Sequence, residues 1–171
     1  QGRGKGWTGY SDAIGTFGLA LERARLACCI DRLVEPTLDN QLDQSLASYQ
    51  QEGVAFLAPR VGEGAYCAFD VGLGKTRTAL AVAAATKATR VVVVCPAIVK
   101  SVWQAEVARW FDGHWRVALL AGLTSHSSDL ADQVTVINYD IAHAWVGQLT
   151  KIDLLVIDEA HALANPNSQR S

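Results

Sequence analysis

From Gly64 onward the chain alternates short apolar runs with stretches of helical period, and that rhythm leaves few folds open. AYCAF, VVVVC, RVALLA, VTVIN and DLLVI read as strands; a helix is expected after the glycine turn at 72–74, another from Ile98 to Phe111, and a short one after VTVIN. Runs that are apolar at every position suit strands buried on both faces, which points to a parallel sheet sandwiched between helices. The expected fold class is therefore α/β. Composition permits one such core: 50 % of the 171 residues are hydrophobic and 19 % charged, a balance that excludes a wholly disordered or fibrous chain. Fifteen Lys and Arg against seventeen Asp and Glu give a net charge of −2, so any contact with nucleic acid has to be local.

Upstream of Gly64 the pattern is helical. Leu46 to Leu57 is expected to form a helix with Leu46, Tyr49, Gly53, Phe56 and Leu57 on its apolar face, and Phe17 to Val34 another, carried by Leu19, Leu26, Ile30 and Leu33 and ended by Pro36. The glycine-rich opening QGRGKGWTGYSDAIG has neither period and reads as an arm. The chain thus divides into residues 1–45, an arm and helix of unknown role, and 46–171, the α/β part. It contains no Met and begins with Gln1, which suggests a fragment. The apolar run at Val91–Cys95 is far shorter than the ~20 residues a membrane span needs, and no signal peptide is visible. Cys28, Cys29, Cys67 and Cys95 form no C-x-x-C pair and read as plain thiols; His114, His126 and His143 lack ligand spacing.

Two short segments carry chemistry. VGLGKT (Val71–Thr76) sits between an expected strand and an expected helix, where backbone N–H groups and the helix dipole hold a polyphosphate. Gly72, Leu73 and Gly74 would curl around it, Lys75 would reach the β and γ phosphates, and the Thr76 hydroxyl would complete a Mg²⁺ shell. The strict phosphate-loop spacing puts glycine at position 69, where this chain has Phe69. LLVIDEAH (Leu154–His161) is an apolar strand ending in two acids. Asp158 would bind the metal through water, and Glu159 would orient or deprotonate the attacking water. ATP and Mg²⁺ are the expected cofactors, with Lys75, Asp158 and Glu159 as the catalytic set.

With these two motifs in this order, the chain resembles the first RecA-like lobe of superfamily 2 helicases and translocases, and more narrowly their Swi/Snf-like branch. LASYQQEGVAFL resembles that branch's adenine-reading segment, and VVVVCPAIVKSVWQAEVARWF its motif Ia, with Pro96, Trp103, Glu106 and Trp110 in register; FDVGLGKT and DEAHALANPNSQRS resemble its phosphate loop and acidic box. Phe69, Ala162 and Ala164 depart from the eukaryotic pattern and suggest a viral or bacterial member, working in the cytoplasm of a bacterial or virus-infected cell rather than in a nucleus.

The resemblance implies that Gln50 pairs with the adenine edge and that His161 couples the nucleotide to motif III or to the nucleic acid. It also implies an incomplete RecA-like lobe. The strand that follows the acidic box would insert between the phosphate-loop strand and DLLVI, and a second RecA-like lobe would supply arginines; the chain stops before both and is expected to be inactive alone. Lys100 and Ser101, opening the motif Ia helix, and Asn138 and Tyr139, ending the VTVI strand, are the nucleic-acid candidates. Trp103 and Trp110 read as core, sharing an apolar face with Val99 and Val107. The implied activity is ATP-driven movement along duplex DNA without sequence preference. A strand-separating DEAH-type RNA or DNA helicase and a non-catalytic nucleotide- or DNA-binding module remain the alternatives.

Overall fold

A computed structural model describes residues 45–111, 115–123, 133–145, 147–149 and 151–160. The helix expected over 17–34, His161 and the NPNSQRS segment lie outside the described residues.

The core of the fold is VVVVC. These five residues form β1 (Val91–Cys95), buried at every position because it has a strand on each side and helices on both faces. It pairs in parallel with β3 (Val134–Asn138) on one side and β4 (Leu154–Ile157) on the other, while β2 (Val117–Leu119) pairs with the outer edge of β3. The strand order is β2-β3-β1-β4. Period-two alternation splits the strand between two cores. Val91, Val93 and Cys95 pack under the helices α1 (Ser48–Leu57), α2 (Lys75–Ala85) and α3 (Lys100–Phe111), whereas Val92 and Val94 face α4 (Tyr139–Trp145), with Trp145 fully buried among Leu120, Ile137 and Leu149.

The helices form where their periods said they would. KTRTALAVAAA combines high helical propensity with small side chains, so α2 lies close against its neighbours and buries Thr78, Leu80, Ala81, Val82, Ala83 and Ala85. A 3₁₀ turn, Ala97–Val99, leads into α3, which buries Trp103 and Val107 with Val99 and Trp110 partly covered, as the apolar face expected.

Two expectations are corrected. In α1 the buried residues are Gln50 and Val54, while Tyr49 and Phe56 are 40 % and 51 % exposed. Gly53 accounts for this, because it lets the Phe69 ring approach so closely that a Cβ would meet it at 2.7 Å, and Tyr49 then takes an edge-on place against the same ring at 5.7 Å. Phe56 is covered from outside instead, with the Arg60 guanidinium 4.0 Å above its ring.

The second correction concerns AYCAF, which does not form a strand: residues 65–70 have no sheet partner among the described residues. A strand exists only by pairing, and the nearest edge, that of β4, stands across a cavity of about 990 Å³ lined by both segments. The gap falls where the resemblance implies that another strand inserts.

Candidate functional site

The phosphate-loop candidate occupies the turn into α2. Gly72 and Gly74 have φ of +86° and +73°, the left-handed region that a side chain disfavours. At Gly74 space matters as well as angle, since a Cβ would meet the Gln50 amide nitrogen at 2.4 Å. Lys75 folds back over its own loop, its ammonium donating to the carbonyls of Phe69 (3.1 Å) and Asp70 (3.3 Å). Thr76 follows in the first turn of α2, half-buried.

The acid pair sits at the end of β4 and is held more tightly. Asp158 donates its backbone N–H to the Val94 carbonyl (2.9 Å), continuing the β1–β4 pairing past Ile157. Its carbonyl accepts from the Tyr139 hydroxyl, and its carboxylate Oδ2 accepts from the Trp103 indole N–H at 2.9 Å. Glu159 takes a left-handed backbone, φ +57°, and is exposed. Such a conformation in a non-glycine residue costs about 1–2 kcal/mol and turns the chain sharply out of the strand.

These residues converge although they lie far apart in sequence. Lys75, Thr76, Asp158 and Glu159 all line the 990 Å³ cavity, with Phe69 and Trp103 in its wall. Gln50, Gly72, Leu73, Gly74 and Thr76 line a second cavity of about 460 Å³, walled by Tyr49, Arg77 and Trp110. Thr76 belongs to both. The Gln50 side chain is only 4 % exposed, and its amide bridges two elements, donating to Leu73 O (3.1 Å) and accepting from Ala47 N–H (3.0 Å).

The nucleic-acid candidates are less open than expected. The Lys100 ammonium turns inward to the Leu120 carbonyl and to Asn138 Oδ1, and Asn138, 7 % exposed, passes its amide on to Asp140 (2.9 Å). Tyr139 is tied to Asp158. Of the four, Ser101 has an exposed side chain, on the first turn of α3.

Two participants went unassigned from the sequence. Trp103 reads as core, and it is, at 2 % exposure; a buried indole N–H needs an acceptor, however, and that need was the signal pointing to an acid nearby. Arg77 lies 3.9 Å over the Trp110 ring, whose own N–H donates to Glu106 (2.7 Å). Burial in this setting, reinforced by the neighbouring Arg109, pulls the Arg77 pKa below the ordinary guanidinium range.

The donors suit Mg²⁺ with a nucleotide: a hydroxyl and a carboxylate are hard oxygen ligands facing one cavity beside a lysine and two left-handed glycines. Among the described residues no group of three or more His, Cys, Asp or Glu is arranged to hold a metal by itself. The two described thiols, Cys67 and Cys95, are free.

A parallel sheet covered on both faces by helices makes this a RecA-like α/β lobe. Residues 49–171 match the SNF2-related domain, and the chain belongs to that family, the Swi/Snf-like branch of superfamily 2, in the amino-terminal part of its first lobe. It is 29 % identical over 135 residues to a "SWI/SNF-related matrix-associated actin-dependent regulator of chromatin subfamily A-like protein 1" of Xenopus tropicalis, covering 78 % of this chain and 14 % of the relative. It is likewise 29 % identical over 160 residues to the "DNA repair and recombination protein RAD54" of Oryza sativa subsp. japonica, covering 75 % and 16 %. The chain therefore spans only a small part of these relatives' length. In structure it is similar to the Sulfolobus solfataricus SWI2/SNF2 ATPase core in complex with dsDNA, with a TM-score of 0.59, 26 % identity, and coverage of 80 % of this chain and 30 % of that one. These relatives are eukaryotic and archaeal, and lend no support to a bacterial or viral source. No helix among the described residues is long and apolar enough to cross a membrane.

Proposed function

We propose that the chain carries the ATP-binding face of a DNA-dependent ATPase that moves along duplex DNA. The observation that carries this reading is the convergence of Lys75, Thr76, Asp158 and Glu159 on one cavity from the two ends of the α/β part. Backbone N–H groups of the 72–76 turn and the Lys75 ammonium hold the phosphates, Thr76 and Asp158 hold Mg²⁺, and Gln50 meets the adenine from the second cavity. When bound, the metal withdraws charge from the phosphate oxygens. Glu159, exposed at the cavity rim, takes a proton from the attacking water.

The DNA-bound structural neighbour and the relatives named for chromatin and DNA repair support duplex DNA as the partner, in the cellular compartment that holds it. DNA contact falls on the backbone phosphates, with Ser101 as the accessible candidate, so sequence preference is slight and affinity falls steeply with salt. Arginines from a second lobe complete the site. Such arginines are worth about 10³–10⁵ in rate in comparable phosphoryl-transfer enzymes, so the chain by itself turns over ATP slowly.

Two substitutions test the assignment, with the chain joined to its second lobe. Lys75→Ala removes charge-assisted bonds worth ~1.5–3 kcal/mol each and weakens ATP binding at least ~100-fold. Glu159→Gln keeps binding and lowers DNA-stimulated phosphate release by ~10²–10⁴. Parental affinity in the first or parental turnover in the second overturns the reading.

A further inference from the structure

We propose that Trp103 is a positioning residue for the metal, its indole N–H fixing the Asp158 carboxylate so that one oxygen is engaged and the other is presented to Mg²⁺. The inference rests on the nucleotide-site reading above and adds to it a residue that does not touch substrate.

The first support is how completely Asp158 is held. Its N–H, its C=O and one carboxylate oxygen are bound by three different elements: Val94 of β1, Tyr139 of α4 and Trp103 of α3. Oδ1 receives no hydrogen bond from any described residue. With the backbone pinned on both sides, the remaining freedom is rotation of the carboxylate, and the indole bond removes it.

The second support is the location of the donor. Trp103 is 2 % exposed and belongs to the same core cluster as Val93, Cys95 and Val107, so its indole is held in place. A donor that cannot swing away is suited to orienting a ligand. The same ring forms part of the wall of the cavity onto which Lys75, Thr76 and Glu159 open, so the engaged oxygen faces the helix layer while the carboxylate borders the metal's space. A carboxylate left to rotate would pay its ordering entropy each time the metal bound; here that cost is met in folding.

The test separates positioning from mere packing. Trp103→Phe keeps an aromatic ring and deletes the donor. Binding of a fluorescent ATP analogue is titrated with Mg²⁺ in the parent and in the variant, with no turnover required. Removing a partner that orients a metal ligand typically costs ~10–100-fold in metal affinity, so half-saturation by Mg²⁺ rises at least ~10-fold in Trp103→Phe, while analogue binding without Mg²⁺ is unchanged.

A parent that shows no Mg²⁺-dependent binding refutes the nucleotide-site reading and this inference with it. Equal Mg²⁺ dependence in parent and folded variant refutes the positioning role alone. Should Trp103→Phe fail to fold, the indole N–H resonance of the parent supplies the second measurement. The resonance is identified by its displacement in Asp158→Asn, and it shifts when Mg²⁺ is added with the analogue. A spectrum in which no indole N–H resonance responds to either change overturns the proposal.

Discussion

The two halves of the candidate site are built to different standards. Asp158 ends a strand that is paired to β1, and it is held from three elements. The stretch from Ala65 to Gly72 has no strand partner among the described residues and is mostly exposed, with Tyr66 at 70 % and Val71 at 93 %. Both halves are apolar in sequence. What separates them is pairing: β4 has β1 to saturate one row of its backbone groups, whereas residues 65–69 face β4 across a cavity with no described residue paired between them. The acid side of the site is thus anchored in the sheet, while the phosphate side is an unpaired, mostly exposed stretch.

The largest test of that contrast compares one aromatic from each region. Trp145 is fully buried beneath β1 and β3, and Trp145→Ala is expected to cost about 3–5 kcal/mol. Tyr66→Ala, in the unpaired stretch, is expected to change stability by less than about 0.5 kcal/mol. Chemical denaturation of both variants checks this; comparable losses would mean that the 65–69 segment is as much part of the core as the sheet.

A smaller effect is expected at Gly74, where the phosphate side is tightly fitted. Gly74→Ala forces a side chain into a left-handed backbone, costing about 1–2 kcal/mol, and drives its Cβ against the Gln50 amide. Melting temperature and nucleotide affinity both fall. Gly62→Ala, with nothing within 4 Å of the added Cβ, serves as the neutral counterpart. Equal behaviour of the two would show that the loop adapts freely.

A further effect concerns pH and belongs to the acid side. Burial first, and then the Asp158 carboxylate, push the Cys95 thiol from its ordinary 9.0 up to about 11, with the Lys100 charge opposing. Unfolded, the thiol ionises at the lower value; folded, it stays neutral. Its contribution to stability is therefore fully present below pH 9 and is lost as pH rises through about 11. Thermal melts across that window are expected to fall more steeply for the parent than for Cys95→Ala, and parallel slopes would place the thiol in a more open setting.

How much of this was legible depends on the range of the interaction. The strands β1 to β4, the helices α2 and α3 and the partners in the main cavity follow from local pattern: apolar runs, a 3.6-residue period, glycines before a lysine, acids at a strand end. AYCAF misled because it has the composition of a strand, and composition says nothing about whether a neighbour is there to bond with. The face of α1 was misjudged for a related reason. Nothing local marks Gly53 as the seat of the Phe69 ring, so Tyr49 and Phe56 looked like core and Gln50 did not.

The sequence by itself determined the α/β class, the order of its elements and the chemical types at the site, because each of these rests on residues near one another in the chain. Only the tertiary structure decided which polar groups are already engaged. Lys100 reads as a nucleic-acid contact until Leu120 and Asn138 are seen beside it, and Trp103 reads as plain core until its N–H meets Asp158. The physical reason is that a buried donor takes whatever acceptor the fold brings within reach, and for the helical Trp103 that acceptor lies at the end of β4, 55 residues away, beyond the reach of any local pattern.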